Sequence, residues 1–314
     1  MSVLSQPQFH DEDAAFAWLE ETLWPQGPVC PHCGGMGRIG KIKANPAKRI
    51  RLGLHKCGDC KKQFTVKVGT VFEHARMPLH KMLQAVHLMC SSKKGISAHQ
   101  LHRVLEVQYK TAWFLAHRIR EAMRSGELAP MGGGDGTTGI VEVDETFIGR
   151  EPGKPKKRAY HHKMKVLALV DREAGQVRSM VVDDIKPATI IPLLEANMAK
   201  EASLYTDEAG VYAKAAPAFL DHQTTAHGQG EYVRGIVHTN TIEGYFSVFK
   251  RGMKGVYQHC GKQHLHRYLA EFDFRYNHRV KLGIGDVERC GKAVRGIRGK
   301  RLKYRGSLLS ENSL

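Results

Sequence analysis

Four cysteines fall into two C-x-x-C pairs, Cys30-Pro31-His32-Cys33 and Cys57-Gly58-Asp59-Cys60, with a spacer running from Gly34 to Lys56. Each pair offers two thiolates from one tight turn, and two such turns face to face complete the tetrahedral four-sulfur site that Zn²⁺ accepts. Gly34 and Gly35 follow the first pair and let backbone N–H groups approach the sulfurs. The spacer is slightly longer than the usual two-knuckle spacing, a difference that a hairpin insertion absorbs. Ordinary buried cysteines have no reason to pair twice at i, i+3, and neither pair lies in the βαβ context of a thioredoxin-like redox site. The expected ion is therefore structural, with no position left open for water. His32 and His55 sit beside the ligands as possible but less favoured substitutes, while Cys90, Cys260 and Cys290 read as free thiols.

A second set of residues is acidic within a basic chain. Glu142-Val143-Asp144-Glu145-Thr146 interrupts an apolar strand, and the strand period of two places Glu142 and Asp144 on one face. Asp207-Glu208 directly follows the strand-like Leu204-Tyr205-Thr206, where a strand end can project a carboxylate into a crevice. Glu243 opens a helix that carries Lys250 and Arg251, with Lys250 two turns later on nearly the same face. Asp144, Asp207 and Glu243 follow one another in the chain, the first interval longer than the second. Carboxylates from a central strand, a neighbouring strand end and a later helix would hold two hard divalent ions, Mg²⁺ or Mn²⁺, as in-line attack on a phosphodiester demands. One ion would activate the attacking oxygen and the other steady the leaving oxygen, with Lys250 on DNA phosphate. Any one of these acids alone reads as a surface charge or a helix cap; the set carries the argument. His161-His162, after the basic run at 154–158, reads better as part of a solvated loop over DNA than as a metal site.

The whole chain points to the same partner. Its 314 residues are 42% hydrophobic and 25% charged, which excludes global disorder, and 48 Lys and Arg against 31 Asp and Glu leave a formal charge of +17. Such an excess points to a polyanion. No apolar run approaches the roughly 20 residues needed to cross a bilayer, and the stretch from Met1 to Glu12 lacks a basic patch followed by an apolar core. A cytoplasmic, nucleoid-associated protein without a membrane partner is the expectation.

The elements that must position these residues follow from periodicity. Phe16, Leu19 and Leu23 mark a helix over 11–23, stopped by Pro25 and Gly27-Pro28. Residues 30–68 form a Gly-rich, basic ribbon too poor in apolar residues to fold without a staple. Helices are expected over 78–92, 98–105 and 111–124, and their middle turn resembles a helix-turn-helix. In the last of them Trp113, Leu115 and Ile119 would face a core, leaving Lys110, His117, Arg118 and Arg120 for phosphates or base edges. Strands are expected over 140–147, 166–170 and 177–182, then a helix over 187–198, a strand over 202–206, and helices over 241–251 and 263–277. From Arg289 to Arg305 there are eight Lys or Arg and no acid.

The runs VDETFIGR, TDE at 206–208 and, above all, the long block HTNTIEGYFSVFKRGMKGVYQHCGKQHLHRYLAEFDFRYNHR at 238–279 resemble the ISXO2-like transposase domain of bacterial insertion sequences in the IS1595 family. CPHCGG and the segment from Lys94 to Met123 are similar to that family's N-terminal region, so the resemblance covers nearly the whole chain. It implies a DDE-type DNA transposase: an α/β chain whose RNase H-like catalytic domain is preceded by a small zinc ribbon and a helix-turn-helix-like domain. The first two catalytic positions fall on Asp144 and Asp207 and the third on Glu243, whose distance from Lys250 is similar to the family's usual spacing. Asn240 is the alternative third ligand, since some related transposases use Asn there. The implied organisation is helix and ribbon over 1–75, DNA-binding helices over 76–126, a linker over 127–138, the catalytic domain over 139–285 and a basic tail over 286–314. The implied partners are double-stranded DNA, as terminal inverted repeats and target, and further copies of the chain when assembled on it. DNA contacts are expected from Lys110, Arg118, Arg120, Lys250 and Arg251. A domesticated regulator without catalysis and a stand-alone nuclease of the same fold are the competing expectations.

Overall fold

The computed structural model describes residues 2–126, 128–133, 138–156, 160–225 and 233–302. Linker positions 134–137, Lys157 and Arg158 of the basic run, and everything beyond 302 lie outside the described residues. The chain divides into a ribbon unit, Met1–Ser92 with Ile96–Arg124 and Gly285–Leu314, and a sheet unit, Lys93–Gly95 with Ser125–Ile284.

The ribbon unit opens with α1 (Glu12–Leu23), whose start Asp11 caps by accepting the Ala14 N–H at 2.7 Å. Phe16, Leu19 and Leu23 recur every third or fourth residue and are all buried. Three short antiparallel strands follow, β1 (Ile39–Lys41), β2 (His55–Cys57) and β3 (Gln63–Phe64). Their apolar content is slight: Phe64 packs with Cys30 and Cys57 and, at the edge, Trp24. Next come α2 (Leu79–Ser91), α3 (Ala98–Leu105) and α4 (Tyr109–Met123). Ser97 caps α3 through the Gln100 N–H at 3.1 Å, and Glu106, with φ of 52°, turns the chain out of it.

The sheet unit holds five strands, β4 (Ile140–Ile148), β5 (Met164–Asp171), β6 (Gln176–Val182), β7 (Ser203–Asp207) and β8 (Asp221–Thr225), in the order β6-β5-β4-β7-β8. The first three form an antiparallel meander, and β7 and β8 add in parallel. Every residue of β5 is buried, as a strand covered on both faces requires. On one face Val141, Val143, Leu167 and Leu204 pack with α5 (Pro187–Asn197) and with Tyr212 of the short α6 (Gly210–Ala213). On the other, Val166, Ala168, Val170 and Val177 pack with α7 (Asn240–Gly252) and α8 (Lys262–Asn277), which a π-helical turn at Met253–Tyr257 joins. A Cβ on Gly252 would lie 2.6 Å from the Lys94 carbonyl and 2.4 Å from the Phe272 ring, so only glycine fits at that corner. β8, polar at Asp221, His222 and Gln223, was not expected from sequence. Among the described residues no helix is long and apolar enough to cross a membrane.

The stretch read as a basic tail begins instead with a helix, α9 (Asp286–Arg295), which packs against α1, α2 and α4 of the ribbon unit. Cys290, Ala293, Val294 and Ile297 are buried, the Arg289 guanidinium donates to the Cys90 carbonyl at 3.0 Å, and Lys300 donates to the Ala122 carbonyl at 3.0 Å. Basic composition hid an apolar stripe at i, i+3 and i+4. Burial of each large apolar side chain is worth about 1.5–3 kcal/mol against a domain stability of about 5–15 kcal/mol. A chain ending at Ile284 is therefore expected to lose cooperative thermal unfolding of the ribbon unit by circular dichroism, and an unchanged transition would contradict this packing role.

Candidate metal centre and acidic site

The four ribbon cysteines converge. All four sulfurs lie within 4.8 Å of one another, with Cys30 to Cys60 at 3.6 Å and Cys33 to Cys57 at 3.7 Å. A zinc tetrahedron with bonds of about 2.3 Å has edges of about 3.8 Å, so the donor set fits the ion. Each knuckle is a closed turn: the Gly34 N–H donates to the Cys30 carbonyl at 2.9 Å, and the Cys57 N–H donates to the Lys62 carbonyl at 3.0 Å. Gly34 adopts φ of 75°, a conformation that glycine supplies without strain. Burial pushes the Cys30 thiol up, yet the backbone N–H groups of His32 and Cys33 bring it down to about 7; at Cys33 the Gly35 N–H pulls down but the shared bonds with Cys30, Cys57 and Cys60 push the thiol up to about 12. His55 stacks on Phe64 and contacts the Gly53 carbonyl at 3.2 Å, and neither it nor His32 joins the cluster.

In the sheet unit, β4 and β7 pair in parallel as Ile140↔Ser203, Val141↔Leu204 and Glu142↔Tyr205, one constant offset along the chain. Asp144 and Asp207 are separated in sequence by that same offset. The two aspartates thus stand at one height on adjacent strands, and the period of two directs both toward the α7–α8 face. Burial, then the Glu145 and Asp207 charges, push the Asp144 carboxyl up to about 7, against the Glu145 N–H, which donates to it at 2.7 Å, and the Lys250 charge. Burial also raises Glu145, which points to the opposite face and accepts a hydrogen bond from the buried Tyr212 hydroxyl. Asp207 ends β7 and accepts the Ala209 N–H at 3.0 Å. Glu243 and Asn240 are exposed in the first turn of α7, where Thr239 Oγ1 donates to Glu243 at 3.4 Å. The three carboxylates do not converge as the sulfurs do: among the described residues, the cysteines are the only group of three or more such ligands within 4.8 Å. Lys250 extends past Phe246, its ammonium 5.9 Å from the ring centroid, and Arg251 donates back to the Ser247 carbonyl at 3.1 Å.

Glu142, on the same face as Asp144, is fully buried with both oxygens engaged. One accepts from Arg172 Nε at 2.5 Å and the other from the Ile242 N–H, inside α7, at 2.9 Å. Arg172 also donates to the carbonyls of Ile236 and His238, each at 2.6 Å, and to His238 Nδ1 at 2.8 Å, with its plane 5.0 Å from the Tyr205 ring centroid. His238 Nδ1 also lies 3.4 Å from Glu142 Oε1, so the ring stands between the two members of the ion pair. Sequence reasoning passed over Arg172, because a lone Arg before a Gly-containing hairpin turn looks like a solvated charge. A second acid, the half-buried Asp273, accepts from the Ser179 N–H and hydroxyl and the Tyr245 hydroxyl at 2.9, 2.7 and 2.6 Å, tying β6, α7 and α8 together; desolvation pushes it up to about 7.

The expectation that Arg120 meets DNA is corrected: it is 2% exposed and His117 is fully buried. The two lie on the packed face of α4, whose inward stripe is wider than its apolar residues alone suggest. Lys110 is exposed, and the half-buried Arg118 lies over the Phe114 ring at 4.8 Å. These residues, with His74, Arg76 and Met77, line a cavity of about 370 Å³. A second cavity, of about 450 Å³, shares Arg76 and Met77 and adds Arg51, Lys67 and His80, with Glu12 at its side. Burial lowers Lys67, and the charges of Arg51 and Arg118 lower it further against the pull of Glu12. Glu12 is itself engaged by the N–H groups of Leu79 and His80 and by the His80 ring.

A family model described as the ISXO2-like transposase domain matches residues 137–277, and one described as the transposase zinc-ribbon domain matches residues 10–63. A relative from Halobacterium salinarum (strain ATCC 700922 / JCM 11081 / NRC-1), described as an uncharacterized protein in transposable element ISH50, is 29% identical over 287 residues, covering 85% of this chain and 91% of its own. Among solved structures, a chain of the simian T-cell lymphotropic virus intasome in complex with PP2A regulatory subunit B56 gamma aligns over 62% of this chain and 65% of its own, at 15% identity. Its TM-score of 0.29 is too low to bear on the fold.

Two measurements probe these sites. The purified chain is expected to carry zinc by atomic absorption, and Cys57→Ser to abolish it and lower the melting temperature of the ribbon unit; a zinc-free, fully stable wild type would exclude the metal's structural role. For Asp144, a folded-state value of about 7 against an ordinary 3.8 means that the folded chain holds the extra proton between those limits, so stability falls as pH rises through them. With chelator present, Asp144→Asn is expected to melt a few degrees above wild type at pH 8, with the difference vanishing near pH 4. An equal shift at both pH values would rule out that cause.

Proposed function

From the premise that the chain belongs to the IS1595 family of transposases, we propose that it binds the ends of an insertion sequence and cuts and joins DNA strands at a DDE-type acidic site. The observation that carries this reading is the pairing register that sets Asp144 beside Asp207, with Asp144 held near neutrality until a cation compensates it. The strand order, a three-strand antiparallel meander extended by two parallel strands, supports an RNase H-like catalytic domain. Asp144 and Asp207 would hold Mg²⁺ or Mn²⁺, with Glu243 as third ligand and Asn240 as its alternative one turn earlier. When bound, such ions supply Lewis-acid stabilisation of the attacking and leaving oxygens.

The rest of the work falls to the chain itself. Lys250 and Arg251 meet phosphate beside the carboxylates, with water as the first nucleophile and the freed 3′-OH as the second. No covalent link to the protein forms. In the ribbon unit, α3 and α4 act as a helix-turn-helix, and the cationic cavities around Arg76, Lys67, Lys110 and Arg118 track the DNA backbone through phosphates, with the salt dependence such contacts carry. Paired cutting of two ends calls for at least two copies on the DNA, in the cytoplasm at the nucleoid.

Asp144→Asn and Asp207→Asn are each expected to lower strand transfer on element-end DNA by roughly 10³-fold or more, the scale for removing one member of a catalytic unit, while end binding by gel shift persists. Undiminished transfer would refute the mechanism. Hydrolysis without joining in the wild type would instead identify a nuclease, and binding without metal-dependent nicking a regulator.

A further inference from the structure

Arg172 sits where β5 ends, its own N–H donating to the Ile140 carbonyl at 3.1 Å, and its side chain reaches the segment that leads into α7. Each edge of its planar fork is engaged: Nε on Glu142, one terminal nitrogen on the Ile236 carbonyl, the other on the carbonyl and ring of His238. Glu142 extends the chain of bonds to the Ile242 N–H. One buried ion pair therefore joins β4, at the position two before Asp144, to both sides of Asn240 in sequence and to the residue before Glu243. The body of α7 does not need this pair to stay on the sheet, because Ile242, Tyr245, Phe246 and Phe249 anchor it by apolar burial. In the first turn itself only Ile242 is buried, and a single apolar side chain constrains height and rotation along the strand less sharply than directional bonds.

We infer that Arg172 is a positioning residue: acting through Glu142, it fixes the first turn of α7 against β4 two residues before Asp144, so that a ligand from that turn could join Asp144 and Asp207 in holding an ion. The inference rests on the acidic-site reading above. A lysine could supply charge to Glu142 but not the fork that also holds Ile236 and His238, so Arg172→Lys separates the two roles.

The test uses the full-length chain and Mn²⁺ alone as probe. Arg172→Lys is expected to bind Mn²⁺ about 10–100-fold more weakly by calorimetry, as loss of a group that orients ligands does, and to raise the Mn²⁺ concentration giving half-maximal strand transfer correspondingly. End-binding affinity and melting temperature should stay near wild type. Hydrogen exchange should quicken at Ile242 and its neighbours but not in β5. Glu142→Gln, which keeps shape and removes the charge, should move the same readings in the same direction. Wild-type Mn²⁺ affinity in a folded Arg172→Lys protein would overturn the inference, as would a loss of activity that only follows the unfolded fraction. Failure of the catalytic reading is seen separately, in Asp144→Asn: if that variant still transfers strands, the acidic site is wrong whatever Arg172 does.

Discussion

The parallel pairing of β4 with β7 brings two carboxylates together before any ligand is present, and the neighbouring elements of the sheet unit answer the electrostatic problem this creates. Burial and the Glu145 and Asp207 charges raise the cost of ionising the half-buried Asp144, and burial raises Glu145 as well. The chain offsets this with the Lys250 charge and one backbone N–H, and it turns Glu145 to the other face, onto Tyr212. Charge of one sign crowded at one place is the electrostatic condition on which the proposed role of a hard cation there rests.

The two units reach stability by different means. The sheet unit buries apolar residues on both faces of β5 and places carboxylates at junctions where direction matters, Glu142 on the Ile242 N–H and Asp273 on the Tyr245 hydroxyl. The ribbon has almost no apolar surface to bury, so four sulfurs and Phe64 do the work of a core. Its helices in turn are closed by α9.

Legibility followed the same division. Helices and strands with a strong apolar period stood out in sequence to within a few positions, from α1 to α5 and again at α7 and α8, because their pattern and their burial have one cause; the four-residue α6 is too short to show one. β8 was missed because an edge strand with Asp221, His222 and Gln223 carries no apolar alternation. α9 was missed because its Lys and Arg content outweighed three apolar positions, and Arg120 was misassigned because charge was read as exposure. At the acidic site the types and spacing of the aspartates were readable, since their interval in sequence equals the offset of the strand register. Arg172 was not, because nothing local distinguishes an arginine whose acceptors arrive far later in the chain, at Ile236 and His238.

The placement of α9 sets an order of assembly. Residues Met1–Ser92 are made before α9, yet the face of α2 against which α9 packs stays open until that helix has been made. The sheet unit, contiguous apart from Lys93–Gly95, draws none of its residues from beyond Ile284. A chain cut short before Gly285 thus retains the residues of the sheet unit but leaves the ribbon unit without the helix that packs on α1, α2 and α4.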